Sequence, residues 1–180
     1  MPIDFFTAPC AEVAGNCKTA GIVCKGTTNV DEFGLCDDPP PATLPAYIDT
    51  VDKNKWIAIV NNAVAKDVTF KAVDHCVTIL RPDGTRENRC DGLLTYDNNI
   101  IFVELKDRAY SGWLGGARNQ LTKTINVFAA EYNIATYNLV EVYVSNKLKP
   151  LTNAAHNIEK QKFKDETGLT LTVQREIIIQ

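Results

Sequence analysis

The chain has 180 residues, 45% of them hydrophobic, enough for one domain with a substantial core and a small appendage. No run of 18 or more apolar residues occurs, which excludes a membrane-spanning helix, and a net charge of −3 excludes a uniformly basic nucleic-acid binder. That total hides an asymmetry. Residues 1–52 carry two Lys against eight acids, a net of −6, while residues 53–180 carry 17 Lys or Arg against 14 acids, a net of +3. An acidic leader thus precedes a mildly basic body, which is compatible with a body that meets phosphate and equally with ordinary surface charge.

The first residues, MPIDFFTAPCAEVAGNCK, lack a basic start and an unbroken apolar run, so no signal peptide is expected and the expected compartment is the cytoplasm. Four of the six cysteines (Cys10, Cys17, Cys24 and Cys36) lie in this region, separated by six, six and eleven residues. Zinc sites usually need close pairs such as CxxC, which are lacking. Buried thiols, disulfides and a metal all stay open, and disulfides would point instead to an oxidising destination such as that of an exported effector. Cys76 and Cys90 fall on expected strands and read as core residues. The run Asp37-Asp38-Pro39-Pro40-Pro41, with Pro45 behind it, favours extended backbone without ladder hydrogen bonds. It divides a Cys-rich N-terminal extension, residues 1–45, from a domain at 46–180.

Trp56, Ile59, Val60, Ala63 and Val64 recur at helical spacing, which predicts a helix over 53–66 with Asp52 as its N-cap. Strand-like runs follow at 68–73 and 75–80. Arg81-Pro82-Asp83-Gly84, with Pro early and Gly late, predicts a turn. A strand through 89–96, a turn at Asp97-Asn98-Asn99 and an almost wholly apolar strand at 100–106 complete a meander. Residues 111–116 read as a Gly-containing loop. Beyond it Leu114, Ala117, Leu121, Ile125, Phe128 and Tyr132 step by three or four along one face of an amphipathic helix. A strand at 139–144, a helix at 153–167 capped by Asn153 and stopped at Gly168, and an alternating strand at 169–179 follow. This order describes an α/β domain with helices flanking a mixed central sheet.

The stretch from Asp91 to Lys106 carries the chemistry. Its second strand places Glu104 and Lys106 two residues apart, on one face, within an apolar run. Charges in a buried strand are costly unless paired or bound to a metal. A two-residue Asp97-Asn98 loop pairs Tyr96 with Asn99, and counting back sets Asp91 opposite Glu104. Two adjacent carboxylates repel unless a proton or a cation lies between them. They suit Mg²⁺, with Mn²⁺ as a substitute, and the Leu105 carbonyl is a candidate third ligand. Lys106 is then placed to orient a water or screen a phosphate. Among all Asp and Glu of the chain, only Glu104 has Lys at the second position.

Asp91-Gly92 followed by Glu104-Leu105-Lys106 resembles the PD-(D/E)xK nuclease superfamily, the fold of restriction endonucleases. The resemblance implies a restriction endonuclease-like αβββαβ core over about residues 53–144, roughly half the chain. It also implies a metal-dependent nuclease with nucleic acid, expected to be DNA, as its partner and no membrane. Asp91 and Glu104 would bind Mg²⁺, Lys106 would assist the attacking water, and Gln120 would match a helix Gln of some branches. Those branches carry Tyr four residues later, where this chain has Thr124. Cys90 stands where many members have Pro, and residues 53–66 hold no upstream acid, with Asp49, Asp52, Asp67, Asp74 and Glu87 as outside candidates. Two other readings share the fold. One is a catalytically inactive module that binds nucleic acid or a protein. The other is an exported toxin nuclease with an inhibitor or immunity partner. A homodimer is open in each case.

Other residues have a functional and a plain reading. Trp113 stacks on a base or packs on the sheet. Arg118, Lys123 and the Lys147/Lys149 and Lys160/Lys162/Lys164 groups meet phosphate or line a solvated face. His75 reads as a packed strand residue, and His156 has no partner at a defined spacing.

Overall fold

The computed structural model describes residues 3–6, 24–39, 44–148 and 154–180. Two mixed sheets and two long helices make an α/β fold. In chain order the strands are β1 (Lys25–Thr28), β2 (Glu32–Cys36), β3 (Tyr47–Asp49), β4 (Ala58–Asn61), β5 (Val68–Ala72), β6 (Gly92–Tyr96) and β7 (Asn99–Lys106). Helix α1 (Trp113–Glu131), β8 (Leu139–Asn146), α2 (Ala154–Thr167), β9 (Leu171–Val173) and β10 (Glu176–Ile178) follow. The large sheet runs β1-β5-β6-β7-β8-β9, antiparallel as far as β7 and parallel beyond it. The smaller sheet runs β10-β4-β2-β3. Residues 25–36, assigned from sequence to the extension, thus supply β1 to one sheet and β2 to the other.

Side-chain alternation builds three layers. On β7, Ile101, Val103 and Leu105 pack with Phe33, Leu35, Ala58 and Val60 of the smaller sheet. Ile100 and Phe102 point the other way and pack with Leu114, Ala117, Leu121, Ile125 and Phe128 of α1 and Phe163 of α2. Glu104 and Lys106 continue this helix-facing series. Close approach requires glycine at two points. A Cβ on Gly34 would lie 1.9 Å from the Trp56 ring, and one on Gly92 would lie 2.3 Å from the Phe70 ring and 2.9 Å from the Lys71 carbonyl. Among the described residues no helix is long and apolar enough to cross a membrane.

Several expectations hold. The turn at 81–84 is closed by the Gly84 N–H on the Arg81 carbonyl at 2.9 Å. Asp97 and Asn98 both take positive φ (44° and 62°), as a two-residue type I′ hairpin requires, and Tyr96 pairs with Asn99. The amphipathic helix buries its expected face, and α2 stops at Gly168, whose φ is 74°. Its expected cap, Asn153, lies outside the described residues, as do Cys10, Cys17 and Lys149.

Four expectations fail. The Gly-containing loop expected at 111–116 is helical from Trp113, where α1 begins. Residues 53–66 form a turn and strand β4, not a helix. The fully buried Asn62 side chain accepts from the Lys66 N–H (3.0 Å) and donates to the Lys66 carbonyl (2.9 Å), which bends the chain after β4. Residues 75–80 are not a strand. The Cys76 and Val77 N–H groups both turn back to the Val73 carbonyl (3.1 and 2.9 Å), and His75 takes φ 62°. His75 is accordingly a half-exposed turn residue, and Cys76 forms a disulfide with Cys24. The run 169–179 splits into β9 and β10, one in each sheet. At the crossing the Gln174 N–H bonds the Val144 carbonyl and the Ile59 N–H bonds the Arg175 carbonyl (3.2 and 2.9 Å).

Candidate active site

The β6–β7 ladder ends at Gly92↔Val103; counting one step further at the same register places Asp91 across from Glu104 on the helix-facing side, where the Leu105 N–H bonds the Asp91 side chain in place of a backbone carbonyl. Asp91 is 6% exposed and Glu104 is fully buried. The Asp91 Oδ2 accepts the Leu105 N–H at 2.5 Å, so the acid is tied to the strand that carries its partner. The N–H and C=O of one strand residue leave the same edge, so the Leu105 carbonyl opens on the Asp91 side. Lys106 Nζ donates to Glu104 Oε1 and, at 3.0 Å, to Gln120 Oε1. The Gln120 Nε2 donates to the Arg89 carbonyl at 2.9 Å, so α1 is joined to the residue two before Asp91. The fold therefore brings together Asp91, Glu104, Lys106 and Gln120.

Thr124 fills the place where a Tyr was the alternative. Its hydroxyl accepts the Cys90 N–H (2.8 Å) and donates to the Gln120 carbonyl (2.9 Å), which fixes the backbone just before Asp91 against α1. Asp74, an outside candidate in the sequence, pairs with the buried Arg89 guanidinium at 2.9 Å. Asp37 had no signal in the sequence. It follows β2, its charge helps raise Asp91 and Glu104, and Lys106 draws its own carboxyl down. Asp37 also lines a cleft of about 480 Å³ with Leu105, Asp107, Arg108 and Tyr110.

The electrostatics are those of a crowded acidic pair. Burial, then Glu104, hold the Asp91 carboxyl well above the usual range. Burial pushes Glu104 up to about 7, although Lys106 pulls it down. For Lys106 burial acts downward, but Glu104 and then Asp91 outweigh it and keep the ammonium charged. Burial and Asp74 raise Asp37.

Glu104 Oε2 is buried and has no hydrogen-bond partner among the described residues. A buried carboxylate oxygen without a donor is costly unless protonated or matched by a cation. Two carboxylates and a strand carbonyl are hard oxygen donors of the kind Mg²⁺ takes, with water completing its shell. The donor set fits such an ion, although among the described residues no three His, Cys, Asp or Glu side chains are grouped to hold a metal by themselves.

Other sequence candidates lie elsewhere. Arg118 forks to Glu159 (2.8 Å) and Glu166 (2.6 Å) on α2, and Lys123 lies 3.6 Å from Glu87. Trp113 is buried edge-on to His156 at 5.4 Å. Lys147 reaches the Asn54 carbonyl, and Lys162 pairs with Glu159 at 3.1 Å. Cys36 and Cys90 are buried free thiols, and burial pushes Cys36 up to about 12. No protein-family model, no curated protein and no solved structure matches the chain.

Proposed function

We propose that the chain is a metal-dependent nuclease that hydrolyses phosphodiester bonds, with DNA as the substrate class. The observation that carries this reading is the meeting of Asp91, Glu104 and Lys106 on one buried face, with one Glu104 oxygen left without a donor. The order β5-β6-β7, then α1, then parallel β8 supports the βββαβ part of a restriction endonuclease-like core, as in the PD-(D/E)xK superfamily, whereas the leading helix of the expected αβββαβ pattern is replaced by a turn and β4. Asp91, Glu104 and the Leu105 carbonyl would hold Mg²⁺ or Mn²⁺, which when bound supplies charge neutralisation at the phosphate and a more acidic water.

The chain's own groups have distinct tasks. Lys106 has three N–H donors, two of which are taken by Glu104 and Gln120. The third is available to a water or a phosphate oxygen, and the ammonium's charge screens the approach of the substrate. Gln120 holds that ammonium in place, and Asp91 keeps the Leu105 peptide oriented.

A second reading, a binding module of the same fold without activity, is favoured by one observation. Lys106 already neutralises Glu104, so the pair is partly self-satisfied. Cleavage of plasmid, single-stranded DNA and RNA in Mg²⁺ or Mn²⁺ separates the two readings. Metal-dependent cleavage that drops at least about a hundredfold in Glu104→Ala and Lys106→Ala is expected. Cleavage that survives both substitutions would overturn the site, and salt-sensitive binding without any cleavage would favour the second reading.

A further inference from the structure

A chain of contacts leads from Lys106 away from the carboxylates. Its Nζ donates to Gln120 Oε1 (3.0 Å), and Gln120 Nε2 donates to the Arg89 carbonyl (2.9 Å). Gln120 is therefore spent at both ends, and its amide lies wherever the Arg89 peptide lies. The Arg89 side chain, 6% exposed, is itself held from two directions: Nη2 and Nε donate to Asp74 Oδ1 (2.9 and 3.3 Å), and Nη1 donates to the Val77 carbonyl (3.1 Å). Both acceptors belong to one turn, which is closed by two N–H bonds on the Val73 carbonyl and fastened by the Cys24–Cys76 disulfide to the residue just before β1. The Asp74 N–H bonds the Cys90 carbonyl at 3.2 Å, so the turn also grips the backbone between Arg89 and Asp91.

We propose that Asp74 and Arg89 are positioning residues for Lys106: the guanidinium, locked into the disulfide-fastened turn, fixes the peptide carbonyl that orients Gln120, and Gln120 aims the ammonium at Glu104. Neither residue is assigned any contact with substrate or metal. The inference rests on the nuclease reading for the importance of Lys106, but not for the placement of its side chain.

That separation sets the test. The rate at which an amine-reactive acetylating reagent labels Lys106 is read by peptide mass spectrometry on the full chain, without substrate or metal. Exposed Lys123 and buried Lys71 are the internal references. Lys106, with 15% of its side chain exposed, should label slowly in the unmodified chain. In Asp74→Asn and Arg89→Lys, Lys106 labelling should rise at least about fivefold while Lys71 stays protected, and Asp74→Glu should restore much of the protection. In the cleavage assay the same two variants should lose about tenfold in kcat with KM little changed. Unchanged Lys106 labelling in both variants overturns the proposal even if the chain cleaves DNA. A rise shared with Lys71 marks general loosening and also overturns it, since Asp74→Asn keeps the size and shape of this half-buried side chain. Selective deprotection in a chain that cleaves nothing upholds the positioning chain while the nuclease reading fails.

Discussion

Glu104 is a fully buried carboxyl between the large sheet and its helix layer, and its titration is linked to folding. Its folded pKa of about 7 lies above the ordinary value of 4.5, so between those values the folded state binds more protons than the unfolded one. Stability therefore falls as pH rises through this window. The penalty is absent below the ordinary value, complete above about 7, and on the order of 3 kcal/mol at most. Asp91, raised in the same direction, adds to the slope. In a chelator the melting temperature should fall from pH 5 to pH 8, and Mg²⁺ or Mn²⁺ should reduce that fall by favouring the ionised pair. Glu104→Gln should flatten the profile and make the protein more stable at pH 8. A chelated protein whose melting temperature rises over that range would contradict the assignment of burial as the dominant cause.

At the level of elements, the site depends on α1 being locked to the strand entering it. Thr124 makes that lock, and Thr124→Val would leave the Cys90 N–H without its acceptor in a buried place. The expected loss is about 1–3 kcal/mol in denaturant unfolding, with lower cleavage activity because Gln120 lies one turn away on the same helix. The elements that sequence made legible are those whose information is local. A long 3.6-residue period specified α1, and two turn-forming residues specified the hairpin and, through its register, the facing of Asp91 and Glu104. Residues 53–66 misled because apolar residues at helical spacing also fit a short strand, and the deciding Asn62 turn depends on side-chain bonds to backbone. Gln120 was legible only through the resemblance, which implies a helix Gln near the acids. Arg89, Asp74, Thr124 and Asp37 were not, because each acquires its role from a partner brought close only by tertiary folding. The pairing of Cys24 with Cys76 spans 52 residues and carries no spacing signal.

For the whole molecule, that disulfide joins the residue before β1, the outer strand of the large sheet, to the turn beside the site. Closing a loop of 52 residues stabilises the native state by roughly 4 kcal/mol through the unfolded chain's lost entropy. Replacing both cysteines by Ala should lower the melting temperature by about 10 °C, and calorimetry that finds no decrease would show that the loop adds nothing. The three-layer order of small sheet, large sheet and helices places the candidate carboxylates on the helix side of the large sheet, so loosening α1 should affect the site more directly than loosening the small sheet.

The crossing from β9 to β10 bears on how such a chain can be made. β10 is the parallel neighbour of β4, and β9 is the last strand beyond β8, so both sheets are completed by one short stretch after residue 170. The β5–β7 meander can pair as soon as it leaves the ribosome, whereas β4 must wait with an open edge for a partner synthesised much later. The native topology is thus complete only once residues 171–178 have been synthesised and have left the ribosome, so the two sheets close together and late.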